Sequence, residues 1–399
     1  MTLPTGHVTP ARRRPSDRRR QILAAAARQF WSVGYNQASM ADIAAAVGIG
    51  ASALYRHFRG KQDLLVAVLD ETLVQLEEAA STAEDLVGTT RKLAGIAVER
   101  REFGALWDRD AAHLPDNERR RVRERLRAVV TGTAEFVATE LGIPSDDARL
   151  RTHALYAVLA SPSRHHAELD SPNFENLLVN AASSTLHVRT ALAAEPSSRR
   201  TVRGNAPQLP ASRREAILAT SIRLFGEYGY PSVGLTDIGT ATGIAGPSIY
   251  NHFASKTEIL VAALTRGNEA LWLALHHALA VANSAQDALD RLLDSYVAFA
   301  AENPSVISVL ISEVINLPAE HRDSYHHHQK AYVHEWVSLL RQSRPEIHEA
   351  QARILVHATL ALVNDLVRIR GFQRRSNLTA EIAALGRSVL RTSAPEPGR

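Results

Sequence analysis

Residues 18–69 and 213–264 of this 399-residue chain align without a gap at a constant offset of 195, and 22 of those 52 positions are identical. The shared positions include Ile22/Ile217, Phe30/Phe225, Gly34/Gly229, Tyr35/Tyr230, Asp42/Asp237, Gly48/Gly243, Tyr55/Tyr250, His57/His252, Phe58/Phe253 and Lys61/Lys256. Fainter echoes follow. Residues 106–110, ending at Leu114-Pro115, mirror 309–313, ending at Leu317-Pro318, at offset 203. Ala148, Arg149 and His153 mirror Ala352, Arg353 and His357 at offset 204. Such self-similarity commits the chain to building one unit twice. Residues 195–212, rich in Pro, Ser and Arg, read as the linker between the copies.

Each copy opens with helical punctuation. Ile22, Leu23, Ala26, Phe30 and Val33 recur at the spacing of one helix face, and Gly34 stops that helix. Ser39 is placed to cap a short helix running to Val47. Gly48 supplies a tight turn, and a second short helix is expected over about 50–56. Two short helices joined by a glycine-containing turn form a helix-turn-helix. The second copy repeats the pattern over 235–242 and 246–251, with Pro247 tolerated in a first helical turn. Long amphipathic stretches fill the rest of each half. The expected fold class is therefore all-α, with two repeats, each a helix-turn-helix head followed by a helical bundle. The expected divisions are a basic arm at 1–17, a head at 18–62, a bundle at 63–194, the linker, a head at 213–257 and a bundle at 258–393.

Charge separates the heads from the bundles. The formal net charge of the chain is only +4. Residues 12–61 hold ten Lys or Arg against two Asp, and residues 199–256 hold seven against three acids. Those two windows carry +12, so the remainder must carry −8. Basic charge concentrated on two small helical heads is what phosphate binding asks for.

Other classes fare worse. With no Cys, the chain has no disulfide framework, thiolate chemistry or Cys-ligated metal. The 17 His include the runs 165–166, 276–277 and 326–328, but neighbours on a helix point 100° apart and cannot converge on one ion, so no metal site is expected. No nucleotide loop follows a strand, and no G-x-S-x-G, Walker or H-E-x-x-H motif occurs, so neither an enzyme nor a cofactor is expected. The first residues lack the apolar core of a signal peptide, and the longest apolar-rich stretches fall short of a bilayer span. A cytoplasmic protein without a membrane partner is the expectation.

The segment from Ala44 through Ile49 to Leu54-Tyr55-Arg56-His57-Phe58 and Lys61 resembles the DNA-binding head of the TetR family of bacterial transcriptional regulators. So does the segment from Thr242 through Pro247-Ser248-Ile249-Tyr250-Asn251-His252-Phe253 to Lys256. Its Tyr-x-His-Phe-x-x-Lys part is specific, and it occurs twice. The double-headed form is also similar to tandem TetR regulators of actinobacteria. The resemblance implies that Tyr55, Tyr250, His57 and His252 bond DNA phosphates, and that Lys61 and Lys256 bind one at the start of the following helix. Thr236 suits a phosphate contact; its counterpart Ala41 cannot make one, although Ser39 is near. The reading stretches are bare of long donors, which leaves Ser52, Arg56, Ser248 and Asn251 as candidates for base edges, Arg56 suiting a phosphate equally well. Arg18, Arg19, Arg213 and Arg214, with the preceding clusters Arg12–Arg14 and Arg199, Arg200 and Arg203, are candidates for phosphates or the minor groove.

The resemblance further implies a double-stranded DNA operator as partner and a small-molecule effector held in the bundles. Because the two heads differ in their reading residues, one chain is expected to cover one asymmetric operator. Its halves would pack as an internal pseudo-dimer through 145–164 with 174–192 and 346–371 with 379–391; higher oligomers stay open. Candidate effector-lining residues are Phe103, Trp107, His153 and Tyr156 in the first half and Tyr296, Leu310, Glu313, His357 and Asn364 in the second, with an apolar or amphipathic effector expected. The expected role is a repressor released by that effector; an activator, or an architectural DNA-binding protein without an effector, is the alternative.

Overall fold

The computed structural model describes residues 15–82, 84–188 and 210–393; the arginines at 12–14, 199, 200 and 203 lie outside them. Every regular element among the described residues is helical, and no described helix is long and apolar enough to cross a membrane. The first half comprises α1 (Pro15–Val33), α2 (Met40–Ala46), α3 (Ala51–Tyr55), α4 (Lys61–Ser81), α5 (Leu86–Glu99), the short α6 (Phe103–Ala105), α7 (Asp116–Leu141), α8 (Ser145–Ala160) and α9 (Ser171–Leu186). The second comprises α10 (Arg213–Tyr228), α11 (Leu235–Thr242), a 3-10 turn at Gly246–Asn251, α12 (Lys256–Val281), α13 (Ala285–Glu302), α14 (Pro304–Ser312), α15 (Ala319–Ser343), α16 (Glu349–Arg368) and α17 (Leu378–Leu390). The chain thus folds as two all-α repeats of similar element order.

The described residues form two compact units that cut across the divisions expected from sequence. One runs to Gln75 and takes in Glu102–Leu126; the other holds Leu76–Arg101 and everything from Arg127 onward, the second head included. In the first unit, Ile22, Phe30, Ile43, Leu54, Leu65 and Leu106 are fully buried, and α1 begins at Pro15, three residues before the expected start of the head at 18. Each such side chain contributes about 1.5–3 kcal/mol by leaving water. Ser39 caps α2 as expected: its hydroxyl accepts from Asp42 N at 3.1 Å and donates to the Asp42 carboxylate at 2.6 Å. Gly48 and Gly243 sit at φ +68° and +71°, a left-handed turn that a side chain would strain.

In the second unit, the head packs tightly on its bundle. A Cβ on Gly226 of α10 would lie 2.9 Å from the Ser305 backbone of α14, so only glycine permits that approach. The second reading stretch differs from the expected α-helix in being a 3-10 turn. The chain is crowded there, the backbone at 244–246 pressing to within 3 Å of where a Cβ on Gly239 would stand. Behind the head lies a layer in which α8 packs on α16 and α9 on α17, with α5 backing α9 and α13 backing α17. The last two helices of each half therefore meet those of the other, and the halves form the internal pseudo-dimer the repeat implied.

Candidate nucleic-acid interface and regulatory core

Each head turns one polar edge outward. In the first, Leu54 and Phe58 are buried against α1 and α4 while Ser52, Tyr55, Arg56 and His57 are exposed, the Tyr55 ring by 54%. In the second, Ile249 and Phe253 are buried; Tyr250, Asn251 and Thr236 are exposed, and Ser248 and His252 half-buried. A tyrosine left this exposed, beside a histidine, on a head whose neighbouring positions are small or basic, is suited to phosphate rather than to packing. Ser39, by contrast, already spends its hydroxyl on the α2 cap.

Sequence reasoning saw the arginines before each reading motif only as DNA ligands; the structure gives them internal contacts too. Arg18 Nη1 donates to Val47 O at 3.1 Å, and its repeat counterpart Arg213 donates to Thr242 O at 3.4 Å, the equivalent carbonyl. Both thereby cap the C-terminal end of the helix before the reading turn, where a cation also meets the negative end of the helix dipole. Arg19 and Arg214 lie over the Phe58 and Phe253 rings, at 5.6 and 4.3 Å. Lys61 Nζ donates to Tyr35 O and Asn36 O at 2.8 and 3.2 Å and rests on the Tyr35 ring; Lys256 rests on Tyr230 at 4.2 Å. Burial holds the Lys256 ammonium below its ordinary pKa. All six cations therefore brace the heads, and their shared geometry shows that the repeat preserved a construction as well as a sequence.

The model of the family described as "Bacterial regulatory proteins, tetR family" matches residues 22–68 and again 217–263, the two stretches built in this way. The chain belongs to the TetR family. It carries that family's head twice, and residues 282–368 match the Tetracyclin repressor-like C-terminal domain. Among similar proteins, the HTH-type transcriptional activator FasR of Mycolicibacterium smegmatis is 26% identical over 179 residues, which are 42% of this chain and 81% of FasR. The probable regulator ArpR of Pseudomonas putida is 39% identical over 80 residues, 19% of this chain and 38% of ArpR. The repressor AcnR of Corynebacterium jeikeium is 29% identical over 126 residues, 28% of this chain and 66% of AcnR. This tandem TetR chain is therefore a helix-turn-helix regulator by family.

The residues proposed from sequence to line an effector pocket are dispersed. Phe103 and Trp107 pack on the first head's core, whereas His153 and Tyr156 belong to the second unit. His153 meets Phe372 edge-on at 5.2 Å, and His357 stacks on His165 at 4.7 Å, so both helix histidines serve the interface between the halves. Burial pushes His357 down to about 4 and His165 to about 2. The Glu313 carboxylate accepts from Tyr230 N at 3.2 Å and from Asn316 Nδ2 at 2.8 Å, tying the second head to its bundle, and burial raises its pKa. Tyr156 bonds Thr133 at 2.9 Å, and burial raises its hydroxyl to about 12.

Tyr296 and Asn364 do come together, the phenol donating to Asn364 Oδ1 at 2.8 Å; burial raises Tyr296 to about 12. Beside them is a cluster that sequence reasoning missed. Tyr296 meets Trp336 edge-on at 5.8 Å, and Tyr332 meets both Trp272 and Trp336, at 5.7 and 6.4 Å. Trp336 is 0% exposed and Tyr332 5%, yet neither the Trp336 indole N–H nor the Tyr332 hydroxyl has a hydrogen-bond partner of good geometry among the described residues. Burial drives the Tyr332 pKa well up, and the Trp336 N–H directed at its phenol oxygen opposes that rise. Two polar aromatics four residues apart on a helix are the only signal the sequence held, and core packing produces that signal as well.

Proposed function

We propose that this TetR-family regulator is a repressor whose two unlike heads occupy one asymmetric operator. The observation that carries this reading is the pair of outward Tyr-x-His edges, Tyr55/His57 and Tyr250/His252, presented on frames braced by equivalent arginines with different reading residues beside them. In each head the tyrosine, the histidine and the helix start at Lys61 or Lys256 grip phosphates and set register; Ser52 and Arg56, or Ser248 and Asn251, then meet different bases. Thr236 adds a phosphate contact in the second head only. An ordinary dimer has two identical heads and reads a palindrome, whereas here covalent linkage frees each half-site to diverge.

An apolar or amphipathic effector releases the DNA, and the second half receives it. The support is the Tyr332 hydroxyl, buried in an aromatic cluster with the Trp336 N–H directed at its oxygen but no acceptor for its own proton, since buried donors left without acceptors cost about 1–3 kcal/mol each and are seldom retained without use. A ligand with an apolar body and a neutral acceptor oxygen satisfies that hydroxyl; nothing in the cluster offers the free cation a carboxylate would need. At offset 203 the corresponding first-half positions are Val129 and Thr133, which offer no such pair.

Footprinting on the DNA upstream of the coding sequence tests the operator reading. Protection of a site without inverted symmetry, by one chain, is expected. A perfect inverted repeat holding two chains would overturn it. FasR is named an activator, so the same footprint, placed upstream of a promoter whose output falls on deletion of the gene, would favour activation.

A further inference from the structure

The pseudo-dimer interface is coded by charge, and the code is one-sided. Arg164, at the end of the α8 segment, donates to both oxygens of Asp365 on α16, at 2.9 and 3.1 Å, and Arg368 closes the same carboxylate from its own helix at 2.6 Å. The Arg164 and Asp365 side chains are only 19% and 22% exposed. At the other end, Arg375 donates to Asp147 of α8 at 2.6 Å while Glu381 holds it from its own half at 2.7 Å. Burial and hydrogen bonding act together here. In two well-formed pairs with most of their surface excluded, removing one partner strands the other as an uncompensated, half-buried charge.

The repeat identifies what each position becomes if like halves pair. At offset 204, Arg164 corresponds to Arg368, Asp365 to Ser161, Asp147 to Gln351 and Arg375 to Ser171. Two first halves facing each other would bring Arg164 against Arg164 around a serine, with no carboxylate, and would leave Asp147 facing Ser171. Two second halves would keep an Asp365–Arg368 match and exchange the Asp147 pair for Arg375 beside Gln351. Both carboxylate–guanidinium matches that the first half needs are thus supplied only by the second half.

From these pairs we infer that the first half's interface is specific for the second half and rejects a second copy of itself. Rejection comes from a stranded, half-buried like-charge cluster, which is how natural interfaces discriminate against wrong partners. The consequence is functional: every pairing joins a first half to a second half, so unlike heads stay together. The inference concerns the interface alone and stands whether or not the operator reading holds.

The test uses the whole chain with a protease site placed within 195–209, cut after folding and diluted to allow exchange. Native mass spectrometry of the nicked protein is expected to show first-with-second pairs and no first-with-first pairs. Combining Arg164→Met with Asp147→Asn is expected to make first-with-first pairs appear at a tenth or more of the total. First-with-first pairs in the unsubstituted protein, or none in the double variant, would overturn the inference. To guard against a merely misfolded variant, Asp365→Arg introduced before cutting is expected to weaken the nicked complex at least tenfold, and Arg164→Asp added to it to restore most of that loss. No restoration would show that the pair does not set the pairing.

Discussion

Ser184 Oγ donates to Ser388 Oγ at 3.2 Å, and the two serines occupy the same position of the repeat, at offset 204. A residue can touch its own repeat equivalent only where a two-fold relation passes between them. That contact fixes the register of α9 against α17, and α17 is also pressed from its own half, where a Cβ on Gly386 would come within 3.1 Å of Leu293 on α13. Near this axis the halves are nearly alike. Away from it, at Arg164–Asp365 and Arg375–Asp147, they are not. Symmetry supplies the packing and its violation supplies the pairing choice.

Removing one reading hydroxyl at a time separates the two heads. Tyr55→Phe and Tyr250→Phe are each expected to lower operator affinity about tenfold to a hundredfold, roughly the worth of one hydrogen bond to a charged group. Both rings are more than half exposed, so unfolding midpoints should not move. Each variant should fade a different half of the footprint. Anisotropy titrations and footprints on the same duplex measure this, and an unchanged affinity for both variants would remove the tyrosines from the interface.

Tight packing of the second head on its bundle predicts an asymmetric response to alanine. Gly226→Ala must push the Ser305 backbone aside and is expected to cost about 1–3 kcal/mol. Gly132 on α7 has nothing within 4 Å of an added Cβ, so Gly132→Ala should instead raise stability by up to about 1 kcal/mol through helix propensity. Urea unfolding of both variants checks the pair.

The heads were legible because their signals are short-range: an apolar spacing over α1, the Ser39 cap, glycines at two turns, and a repeat that shows which features recur together. Relations across the halves were not. Arg164 and Asp365 are 201 residues apart, and nothing in either helix specifies which residue of the other it will face. His153 and His357 look like polar intruders in apolar helices, a pattern that serves a ligand pocket or an interface equally well; only the packing of α8 on α16 decides. Arg18 and Arg213 show the converse error. A basic residue before a reading helix invites a phosphate, and the helix end it caps lies 29 residues away in sequence.

If the Tyr332 hydroxyl is held for a ligand, its removal should not harm the ligand-free fold. Tyr332→Phe is expected to leave stability unchanged or to raise it by up to about 1–2 kcal/mol, since a buried donor without an acceptor disappears. Tyr296→Phe is the contrast: it strips Asn364 of its donor and should cost about 1 kcal/mol or more. A clear loss of stability in Tyr332→Phe would mean that the hydroxyl is paired within the fold and has no acceptor to receive from an effector.

The stacked histidines give the interface a defined acid response. Burial holds His357 at about 4, with Arg353 adding to the depression, and His165 at about 2, with His357 and Arg101 adding. A free histidine takes its proton near 6.5. Because the folded values are depressed, the neutral stack contributes fully above about pH 6.5. As pH falls below that value the unfolded chain takes up protons that the fold refuses. Stability is therefore lost on acidification from about 6.5 down to about 4, by roughly 2 kcal/mol per histidine at pH 5. Urea midpoints at pH 7.5 and pH 5 should show this loss, and His357→Phe should remove about half of it by keeping an aromatic partner for His165 that cannot be protonated. An identical pH dependence in the variant would show that the stack does not titrate with unfolding.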